Sequence, residues 1–157
     1  MDLIYKKADT NDIEDLVDLK IKQNLFFNNR DGLIMKNENI VRENIRKILL
    51  DQLNKTIYFF IAKDVNNNTI ACNGVIIHQM VPSDSFINGK KAYITSVYTD
   101  EDYRCNGIQN ILMQMVLDFI KENNCKKIEL DASNPPAIKL YEKFGFRKNS
   151  KNYVLEN

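Results

Sequence analysis

The sequence predicts one α/β domain, α+β in arrangement, and three observations carry that prediction. Apolar residues recur at the helical period in some segments, and other short stretches are extended and rich in β-branched and aromatic residues. The two kinds of segment interleave along 157 residues, a length that fits one ordinary domain over residues 1–157 with a real core. Hydrophobic residues at 44% against charged residues at 27% describe a globular chain and exclude a disordered or fibrous one.

Leu3 to Lys7 reads as a first strand. Thr10 stands where a helix N-cap would, Asp12 and Glu14 favour the dipole of the first turn, and Ile13, Leu16, Val17 and Ile21 mark one apolar face. Phe26 to Glu38, with Asn28, Asn29, Asp31 and Gly32, has turn chemistry and no period, so it is expected to be a loop. Val41, Ile45, Ile48, Leu49 and Leu53 predict a second helix ending near Asn54. Thr56 to Ala62 and Thr69 to Met80 form a hairpin about the polar turn Asp64 to Asn68, and Ala92 to Thr99 extends it into an antiparallel meander.

The clearest signal follows Gly107, where Ile108, Ile111, Leu112, Met115, Val116, Phe119 and Ile120 keep helical spacing over several turns. Asn123 and Asn124 end that helix, and Lys127 to Asp131 is a strand. Asn134-Pro135 opens a helix through Phe144, with Gly145 as its stop. Tyr153 to Leu155 is expected to form a last strand. No repeat, low-complexity tract or linker divides the chain.

A formal net charge of +1 gives no field that would draw the chain to nucleic acid or to an anionic membrane. Cys72, Cys105 and Cys125 form no CxxC pair, and the one histidine, His78, has no visible partner, so neither a disulfide framework nor a metal site is expected. The N-terminus carries an acid at position 2 and no long apolar stretch, which excludes a signal peptide and makes a cytoplasmic location the expectation.

Val97 to Asn110 joins a strand to the N-terminus of the long helix. The first turn of a helix leaves backbone N–H groups unpaired at the positive end of the dipole, so an anion such as a diphosphate binds there. Gly107 allows close approach or a positive φ, and Arg104 supplies charge.

This stretch resembles the GNAT (GCN5-related) N-acetyltransferases, whose loop reads Arg or Gln, two residues, Gly, one residue, then Gly or Ala. Arg104-Cys-Asn-Gly107-Ile-Gln109 meets the first two fixed points and departs at Gln109, where the family has a small residue. Asn134-Pro-Pro-Ala137 followed by Leu140-Tyr141 and Gly145-Phe146 is similar to the family's later motif. The likeness covers Ala92 to Phe146. It implies the GNAT fold: a mixed, mostly antiparallel central sheet of about six to seven strands flanked by about four helices.

The resemblance also implies roles. Acetyl-CoA is the expected co-substrate: Val97, Tyr98 and Thr99 would pair their backbones with its pantetheine arm. Arg104, Cys105, Asn106, Gly107, Ile108, Gln109 and Asn110 would hold its diphosphate, and Asn134 would touch the arm. Tyr141 would stand by the sulfur as general acid, since a phenol stays protonated at neutral pH. Glu129 is the candidate base, although it shares a strand face with Asp131 and an ion pair with a lysine at the sheet surface is the simpler account of it. A water chain relayed by backbone or Ser96 is the alternative base.

The activity implied is direct acetyl transfer to a primary amine of a small molecule or peptide. A non-catalytic acyl-CoA sensor of the same fold is the alternative that Gln109 leaves open. Phe26, Phe27 and Met35 are candidates for an acceptor pocket, and Asp100 to Asp102 reads as a solvated turn. Dimers are common in the family, so a homodimer is an admissible assembly.

Overall fold

The computed structural model describes residues 1–149, 151 and 153–157. Five strands build one sheet in sequence order: β1 (Ile4–Lys7), β2 (Ile57–Lys63), β3 (Thr69–Gln79), β4 (Lys90–Thr99) and β5 (Lys127–Leu130). The first three pairings are antiparallel and β4 pairs with β5 in parallel, so the meander read between Thr56 and Thr99 is present. The parallel step requires a crossover, and α3 (Ile108–Glu122) supplies it.

Two helices, α1 (Ile13–Arg30) and α2 (Glu38–Gln52), cover one face of the sheet; α3 and α4 (Pro135–Lys143) belong to the other. The α3 side is the larger core, where Leu112, Met113 and Val116 are completely buried against Ala71, Val75 and Ala92. On the α1 side Leu16, Val17 and Leu19 pack on Ile61 and Cys72. Among the described residues no helix is long and apolar enough to cross a membrane, and no cluster of His, Cys, Asp or Glu is placed to hold a metal ion.

Three expectations need correction. The cap lies one residue before Thr10, on the short 3-10 turn Thr10–Asp12 that leads into α1: the Asp9 side chain accepts from the Asn11 N–H, and the Asp12 carboxylate accepts in return from the Asp9 N–H at 2.9 Å. The segment expected to be a loop from Phe26 is helical through Arg30, because Phe26 packs against the α1-side core and outweighs the weak helix preference of Asn28 and Asn29. Tyr153 to Leu155 forms no strand; all three residues are exposed, so burial offers them nothing to stabilise an extended pairing. Among the described residues the sheet therefore has five strands, fewer than the six to seven expected.

Candidate active site

A change of register in the sheet opens the site. β4 and β5 are paired from Lys91 opposite Lys127 to Ile94 opposite Leu130, and the pairing stops there. At the same level the β3–β4 ladder is irregular between Cys72 and Gly74, and Ser96 adopts a φ of 55°. A left-handed residue costs roughly 1–2 kcal/mol and inserts an extra position that bends the strand. The insertion also exchanges the faces of β4: Ile94 belongs to the α3-side core, whereas Tyr98 belongs to the α1-side core.

The resulting gap is a cleft of about 230 Å³. Lys20, Gln23, Asn24 and Phe27 of α1 form one wall, and Tyr93 to Val97 of β4 form the floor. Asp131 to Asn134 with Ala137 and Tyr141 close the opposite side. Asn134 caps α4 by position only, with no side-chain capping bond, and Pro135 and Pro136 start the helix immediately behind it.

Beyond the cleft β4 leads into the loop before α3. Cys105 and Gly107 both have positive φ, at 63° and 75°. Among the described residues none of the backbone N–H groups from Cys105 to Gln109 donates a hydrogen bond, and Asn110 is the first to do so, to the Gly107 carbonyl at 3.0 Å. Successive free N–H groups at a helix N-terminus form a concavity for an anion, so this loop fits the diphosphate of a coenzyme.

The side chains of the loop hold it in shape. Asn106 Nδ2 donates to the Tyr103 and Arg104 carbonyls, each at 3.1 Å. Arg104 Nε donates to the Thr99 carbonyl at 3.0 Å while its guanidinium lies 4.4 Å from the Phe26 ring centre and 5.7 Å from that of Tyr98. Arg104 thus fastens the loop to β4 and α1, and its charge remains beside the nest.

Gln109, the departure from the family pattern, turns away from the nest. Its Nε2 donates to the carbonyls of Cys72 (3.1 Å) and Tyr98 (2.9 Å) and to Thr99 Oγ1 (3.1 Å). The side chain ties the first turn of α3 to the irregular part of the ladder. Gln109→Ala is expected to lower stability by about 1–2 kcal/mol, measured by urea unfolding, because those acceptors lose their donor inside the protein.

The strand residues divide. Val97 lines the cleft and its carbonyl accepts from Gln23 Nε2 at 3.2 Å, Tyr98 is buried towards α1, and Thr99 is engaged by Arg104 and Gln109. Tyr141 is 7% exposed, lies edge-on to Phe146, and reaches the cleft; burial pushes its pKa up. Glu129 lies outside the cleft lining, paired with Lys91 and, at 3.2 Å, with Lys127. Lys91 first, then Lys127, hold its carboxyl below the usual glutamate range against a smaller opposing effect of burial. His78 is on the exposed end of β3 and Cys105 is exposed in the loop; Met35 does not line the cleft, whereas Phe27 does.

Sequence reasoning marked Phe27 of the α1 wall but missed its polar part, Lys20, Gln23 and Asn24, and one pair on the floor. Gln23, 6% exposed, bonds to Val97, and Lys20 Nζ donates to Gln23 Oε1 at 2.9 Å. Lys20, Gln23 and Phe27 fall at helical spacing on one face, so polar residues continuing an apolar stripe were the available signal. Tyr93 OH donates to Asp131 at 2.7 Å, and burial followed by that carboxylate pushes Tyr93 up to about 12. Lys143 of α4 bonds to Asn110 at 2.7 Å, which places a cation beside the nest.

An anion nest at a helix N-terminus, set beside an opened strand edge and a cleft that ends at a buried tyrosine, has the shape and polarity to fit an extended, phosphate-bearing ligand. The sequence profile of the acetyltransferase (GNAT) family matches residues 30–146, and the chain belongs to that family. An N-alpha-acetyltransferase of Sulfurisphaera tokodaii is 39% identical over 62 residues, a match covering 38% of this chain and 37% of that protein. This chain thus spans well under half the length of the curated relatives it matches.

Among solved structures, a predicted acetyltransferase from Clostridium acetobutylicum with acetyl-CoA is similar, at a TM-score of 0.79 and 28% identity over 99% of this chain and 96% of that one. A GCN5-related N-acetyltransferase from Ralstonia eutropha shares the fold, at a TM-score of 0.81 and 19% identity over 99% of each chain.

Proposed function

We propose that the protein transfers the acetyl group of acetyl-CoA to a primary amine, and that the amine is an α-amino group of a peptide or small molecule. The observation that carries this reading is the continuity of the nest at Cys105–Gln109, the open edge of β4 beyond Ile94, and Tyr141. The two N-alpha-acetyltransferase relatives support the choice of α-amine.

Acetyl-CoA supplies an acetyl group already activated as a thioester. The free N–H groups would hold its diphosphate, and the edge of β4 with Asn134 would orient its arm towards Tyr141. The attacking amine must be neutral: its nitrogen bonds to the carbonyl carbon, the carbon–sulfur bond breaks, and the departing sulfur takes the Tyr141 proton. The surplus proton of the new amide nitrogen passes to solvent water, from which Tyr141 regains its own. A raised pKa keeps Tyr141 protonated throughout the neutral range, as a proton donor to sulfur must be.

Glu129 is not assigned the base role here. A carboxylate held charged by two lysines is a weak proton acceptor. Glu129→Gln is expected to keep kcat within about threefold, whereas loss of a general base removes 100-fold or more; a loss of that size would return the role to Glu129.

The deciding experiment is calorimetric titration with acetyl-CoA followed by a thiol-release assay with α-amino peptides. Binding with turnover is expected. Binding without turnover on any amine would favour the sensor of the same fold, and absence of binding would overturn the nest assignment.

A further inference from the structure

The acceptor end of the cleft carries a cation that the fold does not use. Lys20 lies near the middle of α1 and lines the cleft together with Tyr93 and Asp131. Its ammonium donates one hydrogen bond, to the neutral Gln23 Oε1 at 2.9 Å, and among the described residues no carboxylate lies within ion-pair distance of it. An ammonium has three donors, so two remain.

The other charged residue that lines the cleft, Asp131, accepts a hydrogen bond from Tyr93 at 2.7 Å and lies beyond ion-pair distance of Lys20. A methylene chain ending in an unpaired charge is held in a recess where an apolar residue would be cheaper to bury, and burial lowers the Lys20 pKa accordingly. Such an ammonium gains most from an anion that arrives with the ligand and is desolvated together with it.

We propose that Lys20 selects an acceptor amine that carries a carboxylate, either as the side chain of the residue next to the amine or as the terminal carboxylate of a short acceptor. The inference rests on the acetyltransferase reading above and deepens it by naming the charge of the acceptor. Lys20 acts as a specificity residue: it binds the acceptor anion, and Gln23 fixes the ammonium while holding the carbonyl of Val97.

The test compares acceptors matched in all but charge, using tripeptides with a free α-amine. One has Glu in second position and an amidated C-terminus, one has Gln there and a free C-terminal carboxylate, and one has Gln and an amidated C-terminus. The native protein is expected to favour an acid-bearing peptide over the uncharged one by about tenfold or more in kcat/KM, mostly through KM, and whichever acid is favoured identifies its position. Lys20→Met is expected to abolish that ratio and Lys20→Arg to keep it.

A native ratio near one, or a preference for the uncharged peptide, overturns the proposal even if Lys20→Met fails to fold. A ratio that survives in folded Lys20→Met overturns it as well. If no peptide is acetylated and acetyl-CoA does not bind, the enzymatic reading falls and the proposal falls with it; turnover without charge preference removes the proposal alone.

Discussion

Tyr141→Phe is expected to lower kcat about 100-fold while leaving the dissociation constant of acetyl-CoA within about threefold, the lower bound for loss of a general acid. The substitution keeps the ring, which packs edge-on to Phe146 within the α3-side core, and removes only the oxygen. Calorimetry with acetyl-CoA and steady-state thiol release measure the two effects separately. An unchanged kcat would make Tyr141 a core aromatic and move proton donation to water.

Asp12→Ala is expected to destabilise the fold by about 3 kcal/mol, read as the shift of a urea transition. The Asp12 side chain is 3% exposed and accepts from Lys6 at 2.8 Å, Lys63 at 3.2 Å and the Asp9 N–H at 2.9 Å. Lys63 is itself buried, and its other carboxylate partner, Asp15, sits at the open end of the network. Removing Asp12 leaves a buried ammonium half-paired where β1, β2 and α1 meet.

The same network sets an acid limit. Burial works to raise the Asp12 pKa, but Lys6, the Asp9 N–H and Lys63 together overcome it and hold the carboxyl below the ordinary aspartate value of 3.8. A depressed folded pKa contributes stability above the unfolded value and loses it as pH falls through the folded one. Native protein is therefore expected to lose stability below about pH 3.8, and Asp12→Asn to show a flatter acid limb in urea midpoints measured from pH 6 to pH 2.

The parts of this architecture set by local pattern were legible in the sequence. The 3.6-residue period of α3, the extended runs of the meander and the Asn134-Pro135-Pro136 start of α4 each declare themselves within a few residues. Parts set by distant partners were not. Nothing near Asn28 or Asn29 announces that Phe26 packs into the core and stacks on Arg104, some 78 positions later, and so carries the helix on.

The site followed the same division. Gly107 and Tyr141 were marked by their motifs. The left-handed Ser96 and the parting of β4 from β5 depend on the register of three strands at once, which no window of sequence contains. Gln109 was noticed as an oddity, but its meaning lies in acceptors 37 and 11 residues away on two different strands. An ion pair of Glu129 with a lysine was foreseen from its strand face, but that Lys91 of the neighbouring strand supplies it depends on the register.

The parting of β4 from β5 also bears on how readily such a protein changes. On the reading given above, the donor side of the cleft presents mainly main chain, the N–H groups of the nest and the edge of a strand, held in shape by Arg104, Asn106 and Gln109. The acceptor side is a row of side chains on a single helix, Lys20, Asn24 and Phe27, one turn apart and independent of the loop before α3. Descent can therefore rewrite the α1 row to admit a new amine while the donor half stays fixed, and a laboratory library confined to those three positions would explore acceptor range without touching what activates the acetyl group.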